Sequence, residues 1–344
     1  MKHNSHSELV SESKQEEILK QVQHDQYFRW LKSIGWENFT IEVASSDASF
    51  RSYYRVEKGE NSYVVMDSSR QKESLIPFLD MQHRLISVGV RVPQVLQKNL
   101  ELGFLILEDF GSTHLLDVLN ANNEEEYYKK AIEQIIIMQK ADVSGLPLYD
   151  KDFLLFEMNL CDEWYLKKHL GIYLENEQKT RLDTVLEIIA DEVLAGPQGV
   201  FVHRDFHSRN IMIDSNDDLG VIDFQDARCG SLTYDLVSLL KDCYYEIDES
   251  KRNDLALYFR DKDGIDADDE TFLRWFDMMG LQRHIKVLGI FARLYHRDGK
   301  DGYLKDIPLT LKYVLEAAGK YPQTELLCDI LKLHRHSEFI SESN

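Results

Sequence analysis

Cysteine, positive charge and long apolar runs are all scarce in this chain, and each shortage removes a class of function. The four cysteines, Cys161, Cys229, Cys243 and Cys328, lack the C-x-x-C or His-linked spacing that builds a zinc site. Free thiols in a reducing compartment are therefore expected. No stretch approaches the ~18 apolar residues of a membrane span, and the N-terminus is polar and charged rather than signal-like. A cytoplasmic protein without a membrane partner is the expectation. Against 60 Asp and Glu there are 40 Lys and Arg, a net charge of −20, and such a surface repels nucleic acid and anionic lipid. It would suit a cationic substrate, and nothing in the sequence points to a protein partner.

What is present is concentrated in one stretch. His203-Arg204-Asp205-Phe206-His207-Ser208-Arg209-Asn210 is followed by Asp223-Phe224-Gln225-Asp226. In phosphoryl-transfer centres of the kinase type an Asp meets the attacking hydroxyl, an Asn five residues on binds magnesium, and a later Asp bridges metal and nucleotide phosphates. Asp205, Asn210 and Asp223 have that order and spacing, with Asp205 as candidate base and Asn210 and Asp223 as candidate Mg²⁺ ligands. Hard oxygen ligands must converge on the metal while one carboxylate is kept for the acceptor. Gly199–Val202, Ile211–Ile213 and Leu219–Ile222 read as short strands that carry these residues, with Ser215–Asp218 as a turn.

Taken with Tyr234-Asp235-Leu236-Val237-Ser238-Leu239-Leu240, Leu107-Glu108-Asp109-Phe110-Gly111 and the segment Leu281–Leu294, this pattern resembles the aminoglycoside-phosphotransferase superfamily of small-molecule kinases. Within it the likeness points to the bacterial anomeric kinases of the cell-wall amino sugars N-acetylmuramate and N-acetylglucosamine, and it spans about residues 25–330. The resemblance implies an α+β, protein-kinase-like bilobal fold: a small antiparallel sheet with one main helix, then a larger, mainly helical lobe. It also implies ATP and Mg²⁺ as cofactors, a small amino sugar as partner, and phosphorylation at the anomeric hydroxyl.

The 344 residues, 43% of them hydrophobic, exceed what one core usually supports. Residues 25–108 are expected as the N-lobe and 109–334 as the C-lobe, with disordered tails at 1–24 and 335–344. The tails share a repeat, His6–Ser13 and His336–Ser343, read as a duplicated element outside the catalytic unit. Strands are expected over 39–44, 50–56, 62–67 and 103–107, and a helix over 73–88. In such a fold the loop after the first strand covers the triphosphate. Ser45, Ser46 and Ser49 there lack the glycines of a protein-kinase phosphate loop, yet their exposed amides could cradle phosphate. Glu108 and Phe110 are nominated as the adenine-reading hinge by position alone. Met66 stands where a protein kinase carries its phosphate-binding lysine.

Helices are expected over 124–140, 150–170, 176–194, 232–246, 251–261 and 270–295. Few residues separate Asp223 from Asp235 and no A-P-E follows, which leaves little room for a peptide-docking segment. A small acceptor is indicated. Its candidate contacts are His207, Glu157, Trp164 and a basic stripe on one helix, Arg283 and Arg293 with Lys286. The stripe could bind a sugar carboxylate or pair with acidic residues. Asp235 is expected to cap its helix or tie down the catalytic loop.

Overall fold

The structure is a computed structural model that describes residues 26–45 and 51–332. It divides into two compact units: the described residues up to His83 together with Val92–Gly111, and Arg84–Arg91 with the described residues from Ser112 onward.

The first unit is a five-stranded sheet in the order β1-β2-β3-β5-β4, every pair antiparallel. Its strands are β1 (Thr40–Ser45), β2 (Ser52–Lys58), β3 (Asn61–Asp67), β4 (Val95–Asn99) and β5 (Phe104–Glu108). Lys58 pairs with Asn61, so the β2–β3 turn has two residues, and Gly59 takes a φ of 65° at the first. That left-handed value suits glycine and matches the twist of a tight hairpin. One sheet face carries Val56, Val65, Phe104 and Ile106 against Tyr27, Trp30 and Leu31 of helix α1 (26–33). Trp30 stacks on Phe104 at 5.7 Å and Tyr27 on Tyr54 at 5.2 Å. Each such buried side chain is worth about 1.5–3 kcal/mol. Helix α2 (Leu75–Ser87) follows a short 3₁₀ turn at Lys72–Ser74.

The second unit is built round α9 (Asp269–Asp298), whose buried residues from Phe272 to Ala292 leave it almost no solvent face. A helix apolar on most sides belongs in a core. Asp268 caps its start by accepting from the Thr271 amide, and Gly299, at φ 67°, ends it. Around it pack α5 (Lys151–Leu160), α6 (Asn176–Ala195), α7 (Tyr234–Leu240), α8 (Glu249–Asp263) and α10 (Ile307–Ala318). The remaining helices are α3 (Leu115–Val118), α4 (Glu124–Met138) and α11 (Leu326–Lys332). Two small sheets complete the unit: β6 (Gln198–Val202) with β9 (Arg228–Ser231), and β7 (Ile211–Ile213) with β8 (Leu219–Val221).

Several elements depart from expectation, α1, β9, α10 and α11 among them, and three others have a visible cause. The helix expected over 150–170 changes at Leu160, where α5 gives way to a π-helical segment, Cys161–His169. The cause lies on α9: a Cβ on Gly289 would sit 2.3 Å from the Leu160 carbonyl carbon, so the two backbones touch at the transition. The helix expected over 232–246 stops at Leu240 because Asp242 turns to accept from the Ser208 amide in the 203–210 loop. β4 was not anticipated. It is an edge strand with three exposed residues and a bulge between Val95 and Gln97, so it carries no alternating pattern.

Candidate active site

β6 delivers the loop 203–210 and the β7–β8 hairpin closes it. Ile211 pairs with Val221, and the Ile222 amide donates to the Asn210 carbonyl at 3.0 Å, which brings Asn210 level with the start of Asp223. The Asn210 side-chain amide donates from Nδ2 to the Asp205 carbonyl at 2.9 Å. Only the NH₂ end can face a carbonyl, so Oδ1 is the atom that remains for a metal. Gln225 Nε2 donates to Asp223 Oδ1 at 2.7 Å. The sequence-predicted base and metal ligands thus belong to one loop and one hairpin.

The loop is strained and pinned. Arg204 and Asp223 both take positive φ, 79° and 65°, which costs a residue with a side chain about 1–3 kcal/mol. Asp235, fully buried on α7, accepts from the amides of His203 at 2.7 Å and Arg204 at 3.0 Å. Burial pushes its carboxyl up to about 6 against the cations and amides that favour the charge. The expected tie to the loop is what the geometry contains; the tie spans the protein rather than capping α7. Asp242, equally buried, accepts from the Ser208 amide at 2.9 Å and the Tyr244 amide at 2.9 Å. His203 accepts from the Asp205 amide at Nδ1 (3.3 Å), which puts its proton on Nε2 facing the Ile222 carbonyl at 3.0 Å. Burial lowers its pKa and keeps it neutral.

The Asp205 side chain is 44% exposed, so an acceptor can reach it. Burial of its surroundings works to raise its pKa, but Lys286, Arg283, His207 and Arg204 outweigh this and hold it well below the usual carboxylate range. Arg283 Nη1 lies 3.6 Å from Asp205 Oδ1 and donates to the Arg204 carbonyl at 2.7 Å. His207, pushed down to about 3 by burial, is neutral near pH 7, and its amide donates to the Asp205 carbonyl at 3.0 Å.

The other expected contacts divide. Glu157 is 3% exposed and its carboxylate takes Arg204 at 2.8 Å, the Tyr149 hydroxyl, Gln282 at 3.2 Å and Lys286 at 3.3 Å. Of the basic stripe, Arg283 and Lys286 are buried within this network, whereas Arg293 is half-buried one turn beyond Gly289. Trp164 is half-buried on the π-helical segment. In the first unit Glu108 ends β5, and its amide donates to the Gln94 carbonyl at 2.9 Å; Phe110 is buried. Asp109 between them takes Arg55 at 2.7 and 3.1 Å together with Ser62, which ties this segment to β2 and β3. Ser45 closes β1, while Ser46 and Ser49 lie outside the described residues, as do both terminal repeats. Met66 is fully buried between Tyr53 and Leu105.

Asp242, Tyr244, Arg209 and Asp306 escaped the sequence reading. Arg209 was visible as part of the motif string, but nothing in the string distinguishes it from a surface arginine. Among the described residues no three His, Cys, Asp or Glu side chains gather into a metal cage. An amide oxygen and one carboxylate nonetheless fit Mg²⁺, which keeps waters and substrate phosphates as its other ligands.

The family model described as phosphotransferase enzyme family matches residues 40–276. An N-acetylmuramate/N-acetylglucosamine kinase of Pseudomonas aeruginosa is 42% identical over 294 residues, 84% of this chain and 86% of that one. Its namesake from Neisseria meningitidis serogroup B is 40% identical over 314 residues, 88% of this chain and 93% of the other. Among solved structures, the ADP-bound aminoglycoside phosphotransferase APH(2'')-Ib is similar with a TM-score of 0.59 at 18% identity, covering 85% of this chain and 97% of its own. Choline kinase LicA from Streptococcus pneumoniae has a TM-score of 0.55 at 12% identity, covering 85% and 99%. These two share the fold, which is protein-kinase-like. By the extent of the family match and the identity of its relatives, the chain belongs to the phosphotransferase enzyme family.

Proposed function

We propose that the protein is an ATP-dependent sugar kinase that phosphorylates the anomeric hydroxyl of N-acetylmuramate, N-acetylglucosamine or both, in cell-wall sugar recycling in the cytoplasm. The observation that carries this reading is the placement of Asp205, Asn210 and Asp223 on one loop and hairpin, joined through the Asn210–Asp205 and Ile222–Asn210 hydrogen bonds at 2.9 and 3.0 Å. Relatives at 38–42% identity carry the corresponding kinase name, which supports the choice of acceptor.

In this mechanism Asp205, ionised by the cations around it, orients the sugar hydroxyl and takes its proton as the hydroxyl oxygen bonds the γ-phosphorus of ATP and the bond from that phosphorus to the departing ADP breaks. Asn210 Oδ1 and the Asp223 carboxylate would hold Mg²⁺. When bound, magnesium supplies charge neutralisation to the nucleotide phosphates. Arg204, Glu157 and Arg283 keep the loop in its strained shape, so little reorganisation is left for the reaction. Ser45, Ser46 and Ser49 are assigned to phosphate contact, the Glu108 and Phe110 backbone to adenine, and His207, Trp164 and Arg293 to the acceptor.

ATP consumption with magnesium should be measured across amino sugars, aminoglycosides and choline, with NMR location of the new phosphate. The expected product is a sugar 1-phosphate. Asp205→Asn should lower kcat by about 10²–10⁴ while ATP-induced thermal stabilisation persists. Turnover with aminoglycosides or choline alone would reject the acceptor, and unchanged kcat in the variant would reject the base.

A further inference from the structure

On the loop and beside it lies a group of side chains of which the mechanism above uses only His207. The Arg209 guanidinium carbon sits 3.6 Å from the centroid of the Tyr244 ring. His207 meets the same ring edge-on at 5.1 Å. Tyr244 continues into Phe291 at 6.4 Å, and Phe291 stacks on Tyr303 at 5.4 Å. Asp306, 9% exposed, faces Arg209 across 4.0 Å. An aromatic wall with a few polar groups at its edge is the usual make-up of a small-molecule pocket.

The polar groups here are unspent. Among the described residues the Arg209 guanidinium makes no hydrogen bond, and its distance to Asp306 exceeds hydrogen-bond length. Asp306 Oδ2 and His207 Nδ1 are both buried without a hydrogen-bond partner. Burial raises the Asp306 carboxyl against the pull of Arg209 and Lys305. Ion pairs that lock this fold look different: Arg274 grips Glu192 at 2.6 and 3.0 Å, and Arg204 meets Glu157 at 2.8 Å. A buried acceptor left open in a native protein calls for water or a ligand.

Resting on the sugar-kinase reading, the geometry points to a subsite for the acceptor's ring substituents formed by His207, Arg209, Tyr244 and Asp306. The ligand class is an N-acetylated amino sugar. Asp306 accepts from a ring hydroxyl, and Arg209 donates to an anionic substituent such as the carboxylate of N-acetylmuramate. His207 and Arg209 share the loop of Asp205, and the His207 amide donates to the Asp205 carbonyl at 3.0 Å, so the subsite adjoins the base. Arg209 is then the residue that separates the acidic sugar from the neutral one, a role the buried Arg283 is too enclosed to fill.

The test is steady-state kinetics of the full chain with ATP, N-acetylmuramate and N-acetylglucosamine. Arg209→Gln should raise KM for N-acetylmuramate about 10- to 100-fold, the size of a lost charged hydrogen bond, with far less change for N-acetylglucosamine. Asp306→Asn should raise KM for both sugars, and KM for ATP should hold in each variant. Unchanged sugar KM values, equal effects of Arg209→Gln on the two sugars, or a rise in KM for ATP would overturn the subsite. Should Asp306→Asn not fold, the Arg209 arm decides alone. Wild-type protein inactive on both sugars would instead sink the sugar-kinase reading itself.

Discussion

Glu157 shows how much a single side chain can hold in place. Its carboxylate balances Arg204 and Lys286, and among the described residues neither cation has another carboxylate as near. Glu157→Ala should therefore cost about 3–5 kcal/mol in urea unfolding, since it leaves the buried Lys286 and the partly buried Arg204 uncompensated. A loss below about 1 kcal/mol would mean that water reaches the cluster. The pH dependence has a definite sign. Burial works to raise the Glu157 pKa, but Lys286, Arg204, Tyr149 and Gln282 together place it below its ordinary 4.5. Stability from this group is then present above pH 4.5 and is lost as pH falls through the folded value. Thermal melts should show the wild type weakening more steeply below that pH than Glu157→Gln, and parallel curves would contradict the assignment. The candidate base and metal ligands could be nominated from the sequence because they are local in the chain. Arg209 and Asp306 were not, because an unspent donor or acceptor is a property of the surroundings and not of residue type.

Among elements, the contact of α9 with the junction of α5 and the π-helical segment is a backbone approach that only a glycine permits. Helix propensity alone favours Gly289→Ala by about 1 kcal/mol. The close approach to Leu160 and Cys161 argues the reverse, since the added methyl would meet backbone atoms at 2.3–2.6 Å that no side-chain rotation can clear. Destabilisation of about 1–3 kcal/mol or more is expected, and a gain in the urea midpoint would refute the packing. The long helices were readable because their apolar spacing repeats over many turns. The switch at Leu160 was not, since it answers to a glycine more than a hundred residues away. The early end of α7 has the same origin: Asp242 serves the loop amide of Ser208, and the helix stops six residues short of the expected end at 246.

For the molecule as a whole, the net charge of −20 sets a background of self-repulsion. Salt shortens the Debye length from about 30 Å at 0.01 M to about 8 Å at 0.15 M, so repulsion among distant carboxylates fades while paired groups are screened less. The melting temperature should rise as NaCl is increased over that range. A fall would mean that exposed pairs such as Lys130–Asp217 and Lys129–Glu125 outweigh the repulsion.

The order and spacing of Asp205, Asn210 and Asp223 sufficed to indicate phosphoryl transfer, because a two-stranded hairpin with a short turn leaves those side chains little freedom in where they meet. Tertiary packing alone decided which groups hold that loop. Asp235, Asp242 and Arg283 reach it from 32, 34 and 79 residues away. Burial then turns carboxylates to opposite ends: Glu157 is consumed within the core by Arg204 and Lys286, while Asp306 keeps Oδ2 in reserve.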